Sequence, residues 1–134
     1  MLMMNILVAG LTACMTVPPV LVGSDRDAHG CIGSAGYTYS SVRQACVRLW
    51  EEGISLLPVE QHGTYSAAAF VLEQDNYGQM ELFLPDAAKP ILLFVQNDTP
   101  KNWVDKQGVW KLTYTPSAWQ LWEKGVLRYR SADR

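Results

Sequence analysis

The chain has 134 residues, 49% hydrophobic and 18% charged, a globular composition that excludes a largely disordered or collagen-like chain and leaves room for one domain. Five Trp, six Tyr and three Phe are ample material for a core, and a net charge of −2 is too small to point to a nucleic-acid partner. That total conceals an asymmetry: four Lys/Arg stand against ten Asp/Glu through Asp98 (−6), and seven against three from Thr99 onward (+4).

Residues 1–13 form an apolar run with no charge before Asp25. The run is too short to span a hydrocarbon layer of ~30 Å but suits the apolar segment of a signal peptide. It carries no Lys or Arg ahead of the apolar stretch, and its other reading is a buried N-terminal strand. Its end, Leu11-Thr12-Ala13-Cys14, resembles the bacterial lipobox. That resemblance implies cleavage before Cys14, lipidation of its thiol, and a lipid-anchored protein of the cell envelope, at the outer membrane facing the periplasm. Residues 14–24, with Pro18-Pro19 and no charge, read as a tether, and 25–134 as a single domain. Cys31 and Cys46 remain; in an oxidising compartment they are expected to pair, the alternative being two buried thiols.

Asp25 to Gly36 is rich in Gly, Asp and Ser and reads as an irregular loop. Ser41-Val42-Arg43-Gln44 fits a capping box, and Val42, Cys46, Leu49 and Trp50 follow at helical spacing up to Gly53. The expectation is a helix pinned to the preceding loop through Cys46, so that 25–53 is loop plus helix. From 54 onward the pattern changes to an antiparallel sheet. Strands are expected at Ser66–Glu73, Gln79–Leu84 (Met80, Leu82 and Leu84 on one face), Pro90–Gln96, Val109–Tyr114, Trp119–Glu123 and Val126–Arg130. Asn97 to Gly108 reads as a polar loop interrupted by Trp103, and Lys124-Gly125 as a two-residue hairpin turn. The fold class is therefore mainly β with one helix (α+β), a small antiparallel meander or β-barrel of six or seven strands.

Few constellations carry chemistry. Asp25, Asp27 and Gly30 imitate the start of a calcium loop, but the twelfth position is Gly36 rather than a bidentate carboxylate. His29, Cys31 and His62 form a poor zinc set once Cys31 is given to a disulfide. Gly33-Ser34-Ala35-Gly36 imitates a nucleophile elbow without the strand that would position it. The reading is a non-enzyme with no metal and no cofactor. The C-terminal third is more unusual: Trp103, Trp110, Trp119 and Trp122 are interleaved with Lys101, Lys106, Lys111, Lys124 and Arg128. Alternation puts Trp110 with Leu112 and Trp119 with Leu121 on core faces. Trp122, out of phase, and Trp103, in the polar segment, are left as candidates for exposure, with Lys101 and Lys124 beside them. Aromatics next to basic residues suit a protein-binding patch.

The region from Ser66 to Tyr129 resembles the small C-type lysozyme inhibitors of Gram-negative envelopes, the MliC/PliC family. The likeness rests on the lipobox, the strand Glu81-Leu82-Phe83-Leu84, the turn and apolar strand after it, and a Trp-rich meander. Trp122-Glu123-Lys124-Gly125 matches the family's Trp-x-Lys-Gly motif, one strand later than the family order. Thr99-Pro100-Lys101-Asn102-Trp103 occupies the place of its Ser-Gly-x-x-Tyr motif, without those residues. The resemblance implies a small antiparallel β-barrel whose loops enter a lysozyme cleft. Residues 29–52 look like a segment recurring in envelope lipoproteins. The functional expectation is a non-catalytic envelope lipoprotein that binds another protein, a lysozyme in the first reading. The alternative is a structural or accessory lipoprotein of an envelope complex, and a third reading is small-ligand binding inside the barrel.

Overall fold

The computed structural model describes residues 25–60, 67–75, 78–96 and 99–132, with backbone alone at 99–101. Eight strands form a closed antiparallel barrel: β3 (Ile54–Pro58), β4 (Ala69–Glu73), β5 (Gln79–Phe83), β6 (Ile91–Gln96), β7 (Thr99–Asp105), β8 (Trp110–Tyr114), β9 (Trp119–Glu123) and β10 (Val126–Arg130). Each strand pairs with its sequence neighbour, and β10 returns to β3 to close the ring. Ahead of the barrel stand a hairpin of β1 (Thr38–Ser40) and β2 (Ala45–Val47) and a one-turn helix, α1 (Leu49–Glu52). The mainly β class with one short helix follows from the sequence pattern as expected. No helix among the described residues is long and apolar enough to cross a membrane.

Period-two alternation builds the barrel interior. Leu56, Ala69, Val71, Met80, Leu82, Leu93, Trp103, Leu112, Trp119 and Leu121 form one buried cluster. Ile54, Leu84, Ile91, Trp110, Tyr114 and Tyr129 pack against it. Trp119 stands at the centre of an aromatic group, with ring centroids 5.5 Å from Trp103 and 4.7 Å from Tyr114. Side chains of this cluster therefore pack the barrel interior. The described core and the disulfide lie between Cys31 and Tyr129.

Two local expectations are corrected. The helix expected from Ser41 begins only at Leu49, and Cys46 lies on strand β2, paired with Tyr39. The Ser hydroxyls that would have capped a helix bind the barrel instead. Ser40 Oγ donates to Glu81 Oε1 (2.6 Å), while Ser41 donates from its backbone N–H (3.1 Å) and its hydroxyl (3.0 Å) to Oε2. Glu81 is on the outward face of β5 yet only 1% exposed, because the β1–β2 turn sits on top of it. A hydrogen-bonded buried carboxylate outweighs the weak helical preference of a short, β-branched segment. Second, the segment expected to be a polar loop contains strand β7, which pairs with both β6 and β8. A barrel needs this eighth strand to close around Trp103, and Asn102 and Val104 simply occupy its outer face.

The disulfide forms between Cys31 and Cys46, with Cα atoms 5.5 Å apart. It ties the loop before β1 to the hairpin rather than to a helix. Arg43 extends the clamp: its Nε donates to the Glu73 carbonyl (2.8 Å), and its guanidinium pairs with Glu52 (3.3 Å) and Glu73 (3.7 Å).

Candidate functional site

The turn at Lys124-Gly125 is a two-residue hairpin with positive φ at both positions, 49° and 82°. This is the backbone of a type I′ turn, whose twist matches that of the flanking strands. Glycine meets that requirement freely, whereas a left-handed lysine carries a backbone cost of about 1 kcal/mol. The Lys124 side chain is exposed and makes no ion pair among the described residues; its N–H donates to the Val109 carbonyl (2.8 Å), which binds this tip to the β7–β8 turn.

Behind the tip, Val104, Lys111 and Trp122 form one registered row across β7, β8 and β9, all on the outward face. Trp122 is half-buried, and its indole Nε1 donates to Thr113 Oγ1 (3.1 Å), so the ring is held against the wall. With Gln96, Gly108, Val109 and Gly125 these residues line a groove of about 450 Å³. Its floor is apolar, and its lining contains one cation, Lys111, and no carboxylate.

The four residues singled out for partner binding do not converge. Trp103 is 3% exposed and belongs to the core, because β7 is a strand and Trp103 shares the inward face with Asp105. Its expected exposure is corrected accordingly. Trp122 and Lys124 do lie together. Lys101 is at the start of β7, and its side chain lies outside the described residues. Successive turns of a meander alternate between the two mouths, so Lys101 and the Lys124 tip stand at opposite ends. Asn102 pairs with Thr113 and Thr113 with Gln120, which puts Lys101 and Lys124 five positions apart, about 17 Å along the strands. Cys14, the 1–24 segment and His62 also lie outside the described residues.

The N-terminal loop is occupied by its own contacts. Ser34 donates its hydroxyl to Asp25 Oδ1 (2.6 Å), which holds the Asp25 carboxyl below its usual range. Asp27 Oδ1 accepts the N–H groups of Cys31 (2.9 Å) and His29 (2.8 Å), and its carboxyl is lowered chiefly by the bond from Cys31. The His29 ring stacks on Tyr39 at 3.7 Å. Both carboxylates that imitate a calcium loop thus act as turn acceptors, and Ser34 faces a carboxylate rather than an imidazole.

One surface was invisible to sequence periodicity. Trp50, expected on a helix's buried face, is 59% exposed. It lies across Gly36, where a Cβ would come within 2.0 Å of the indole, and Arg48 sits 4.5 Å over the Tyr37 ring beside it. The nearest signal was Gly36 itself, whose lack of a side chain leaves room for the ring. No protein-family model, curated protein or solved structure matches the chain.

Proposed function

We propose that this is a non-catalytic, lipid-anchored envelope protein that binds another protein through the Trp122–Gly125 hairpin and the wall behind it. The observation that carries the reading is Lys124. The turn keeps an exposed lysine, without an ion pair among the described residues, in a left-handed conformation where Asn or Gly would be cheaper, directly beyond a Trp that lines a groove. Local backbone strain at an exposed recognition tip is a recurrent mark of function, and Trp with a neighbouring cation is a common anchor of protein interfaces. The lipobox ending at Cys14 supports the anchor and the envelope location.

Two versions of the partner follow. The match of Trp122-Glu123-Lys124-Gly125 to the inhibitor motif supports a lysozyme, whose cleft carries two carboxylates that a rigid lysine tip can address. The burial of Trp103 and the separation of Lys101 from Lys124 favour the second version, an accessory lipoprotein that holds a component of an envelope complex against one wall. The test is capture from an envelope extract on the immobilised full chain, beside a lysis assay with several lysozyme classes. The expected result is a captured protein lost in Trp122→Ala and Lys124→Asn; inhibition of a lysozyme decides for the first version. Capture that is identical for both variants, with no inhibition, rejects the hairpin as the binding element.

A further inference from the structure

We infer that the groove behind the hairpin is a peptide site for an acidic segment carrying an apolar anchor, which would be the element of the partner that this wall recognises. The inference rests on the proposed protein-binding role and gives it a chemistry. A volume of about 450 Å³ falls within the range of ligand pockets, and it accommodates one large apolar side chain and the backbone flanking it. Trp122, Val104 and Val109 make the floor. The Trp122 N–H is already given to Thr113, so the ring offers its apolar surface rather than a donor. Around this floor the charge has one sign. Lys111 lines the groove, Lys124 stands at the adjoining tip, and neither makes an ion pair among the described residues. Lys106 lies on the same turn as Gly108, its Nζ 5.8 Å from the Phe94 ring.

Several charges elsewhere on the molecule are satisfied internally. Arg43 and Arg48 of the N-terminal hairpin pair with Glu52, Glu73 and Glu51, and Arg128 pairs with Glu123. Lys111 and Lys124 thus give this groove and its tip a positive charge, and its complement is a carboxylate-bearing segment. The Gly108 N–H is given to the Asp105 carbonyl and the Val109 carbonyl accepts from the Lys124 backbone N–H, which leaves recognition mainly to side chains: an aliphatic or aromatic residue on Trp122, with Asp or Glu on either side of it to meet Lys111 and Lys124. An uncharged or basic segment would leave the lysines without partners.

The test uses the full chain, labelled with nitrogen-15, and three capped pentapeptides: Asp-Glu-Phe-Asp-Glu, Lys-Lys-Phe-Lys-Lys and Asp-Glu-Ala-Asp-Glu. Titration with the first should shift the Trp122 indole N–H and the Gly108 and Gly125 amides. The Lys111→Glu, Lys124→Glu double variant, altered only at exposed positions, should weaken that binding about tenfold and added salt should weaken it in the intact chain. The Ala peptide should bind more weakly than the Phe peptide. Absence of shifts with the acidic Phe peptide up to about millimolar concentration overturns the inference, as do equal shifts with the Lys peptide. Concentration-dependent shifts of the same resonances without peptide also overturn it, since the groove would then hold a second copy. A partner captured through the hairpin while no acidic peptide binds leaves the protein-binding reading standing and removes this one; peptide binding with no captured partner does the reverse.

Discussion

Replacing Glu81 by Ala should release the N-terminal hairpin from the barrel. Four donors converge on this one carboxylate: the Ser40 and Ser41 hydroxyls at 2.6 and 3.0 Å and the Ser41 and Val42 backbone N–H groups at 3.1 and 3.5 Å. Ser40 is fully buried and Ser41 exposed, so the two lose unequal amounts. The Ser41 groups can turn to water. Ser40 Oγ cannot, and it retains only the bond it accepts from the Arg43 N–H (3.1 Å). Hydrogen bonds to a charged group are worth about 1.5–3 kcal/mol each, and summing all four would overcount donors that rehydrate and the long Val42 contact. One full loss plus partial losses gives about 3–4 kcal/mol. With an m-value of about 1.5 kcal/mol per molar in urea, the midpoint should fall by about 2 M. Glu81→Gln should recover less than half of this, because its amide NH₂ meets donors rather than acceptors. Amide exchange provides the local readout: protection should be lost at Ser41 and Val42 while the β6–β8 amides keep theirs. A midpoint within about 0.5 M of the parent for Glu81→Ala would refute the reasoning, since a clamp that carries so little cannot be what overrides helix formation.

Lys124→Asn should raise stability by about 1 kcal/mol, read by urea denaturation, because Asn tolerates left-handed φ better than Lys; a loss of stability would remove the strain argument. Trp103→Ala should cost about 3–5 kcal/mol as a core truncation and Trp122→Ala much less, so denaturation of the pair separates core from wall. Reducing the Cys31–Cys46 bridge, which spans 15 residues, should cost about 3 kcal/mol by loop-closure entropy while leaving near-ultraviolet dichroism of the barrel Trp residues intact under native conditions. Asp27, whose carboxyl is lowered in the fold, contributes stability that is present above the usual Asp value of 3.8 and lost as pH falls through its folded value; Asp27→Asn should flatten that acid limb in a melting-temperature series.

The strands were legible where alternation was strict. Trp119–Glu123 and Val126–Arg130 appear with the bounds read from their residues, and Met80, Leu82 and Leu84 share the inward face as their spacing requires. Strand β7 was hidden because, among its described side chains, Asn102 and Val104 face out and Trp103 and Asp105 face in; a strand held mainly by its two neighbours shows little periodicity of its own. The helix was overextended for the opposite reason. Val42, Cys46 and Leu49 satisfy a helical period, but the partner that decides their conformation, Glu81, lies 40 residues away from Ser41, beyond the reach of any local window. The pairing of Cys31 with Cys46 was legible from counting thiols. Which Trp faces solvent was only half legible: phase identified Trp122 correctly as an outer-wall residue, whereas composition of the surrounding segment misplaced Trp103.

The packed interior has a consequence for where recognition can occur. In an eight-stranded barrel the interior holds either packed side chains or one small ligand, and here Trp103, Trp110, Trp119 and Tyr114 take that space. Binding energy must then come from the outer wall, where every second residue of each strand is free of core duty. On β4 and β5 that wall is covered by the hairpin clamped through Glu81 and by α1 with Gly53, beside which Leu72 is buried. On β7 to β9, the far side of the ring, no described element covers the row from Val104 to Trp122. The disulfide, the Arg43 pairs and the buried carboxylate all stiffen one side, while the opposite side presents an apolar groove under two lysines. Such a division lets surface charge at the groove change with little effect on folding, because no core residue and no clamp contact depends on Lys111 or Lys124. Charge reversal there should therefore alter partner choice while leaving the denaturation midpoint in place, and a coupled loss of stability would show that the groove belongs to the scaffold.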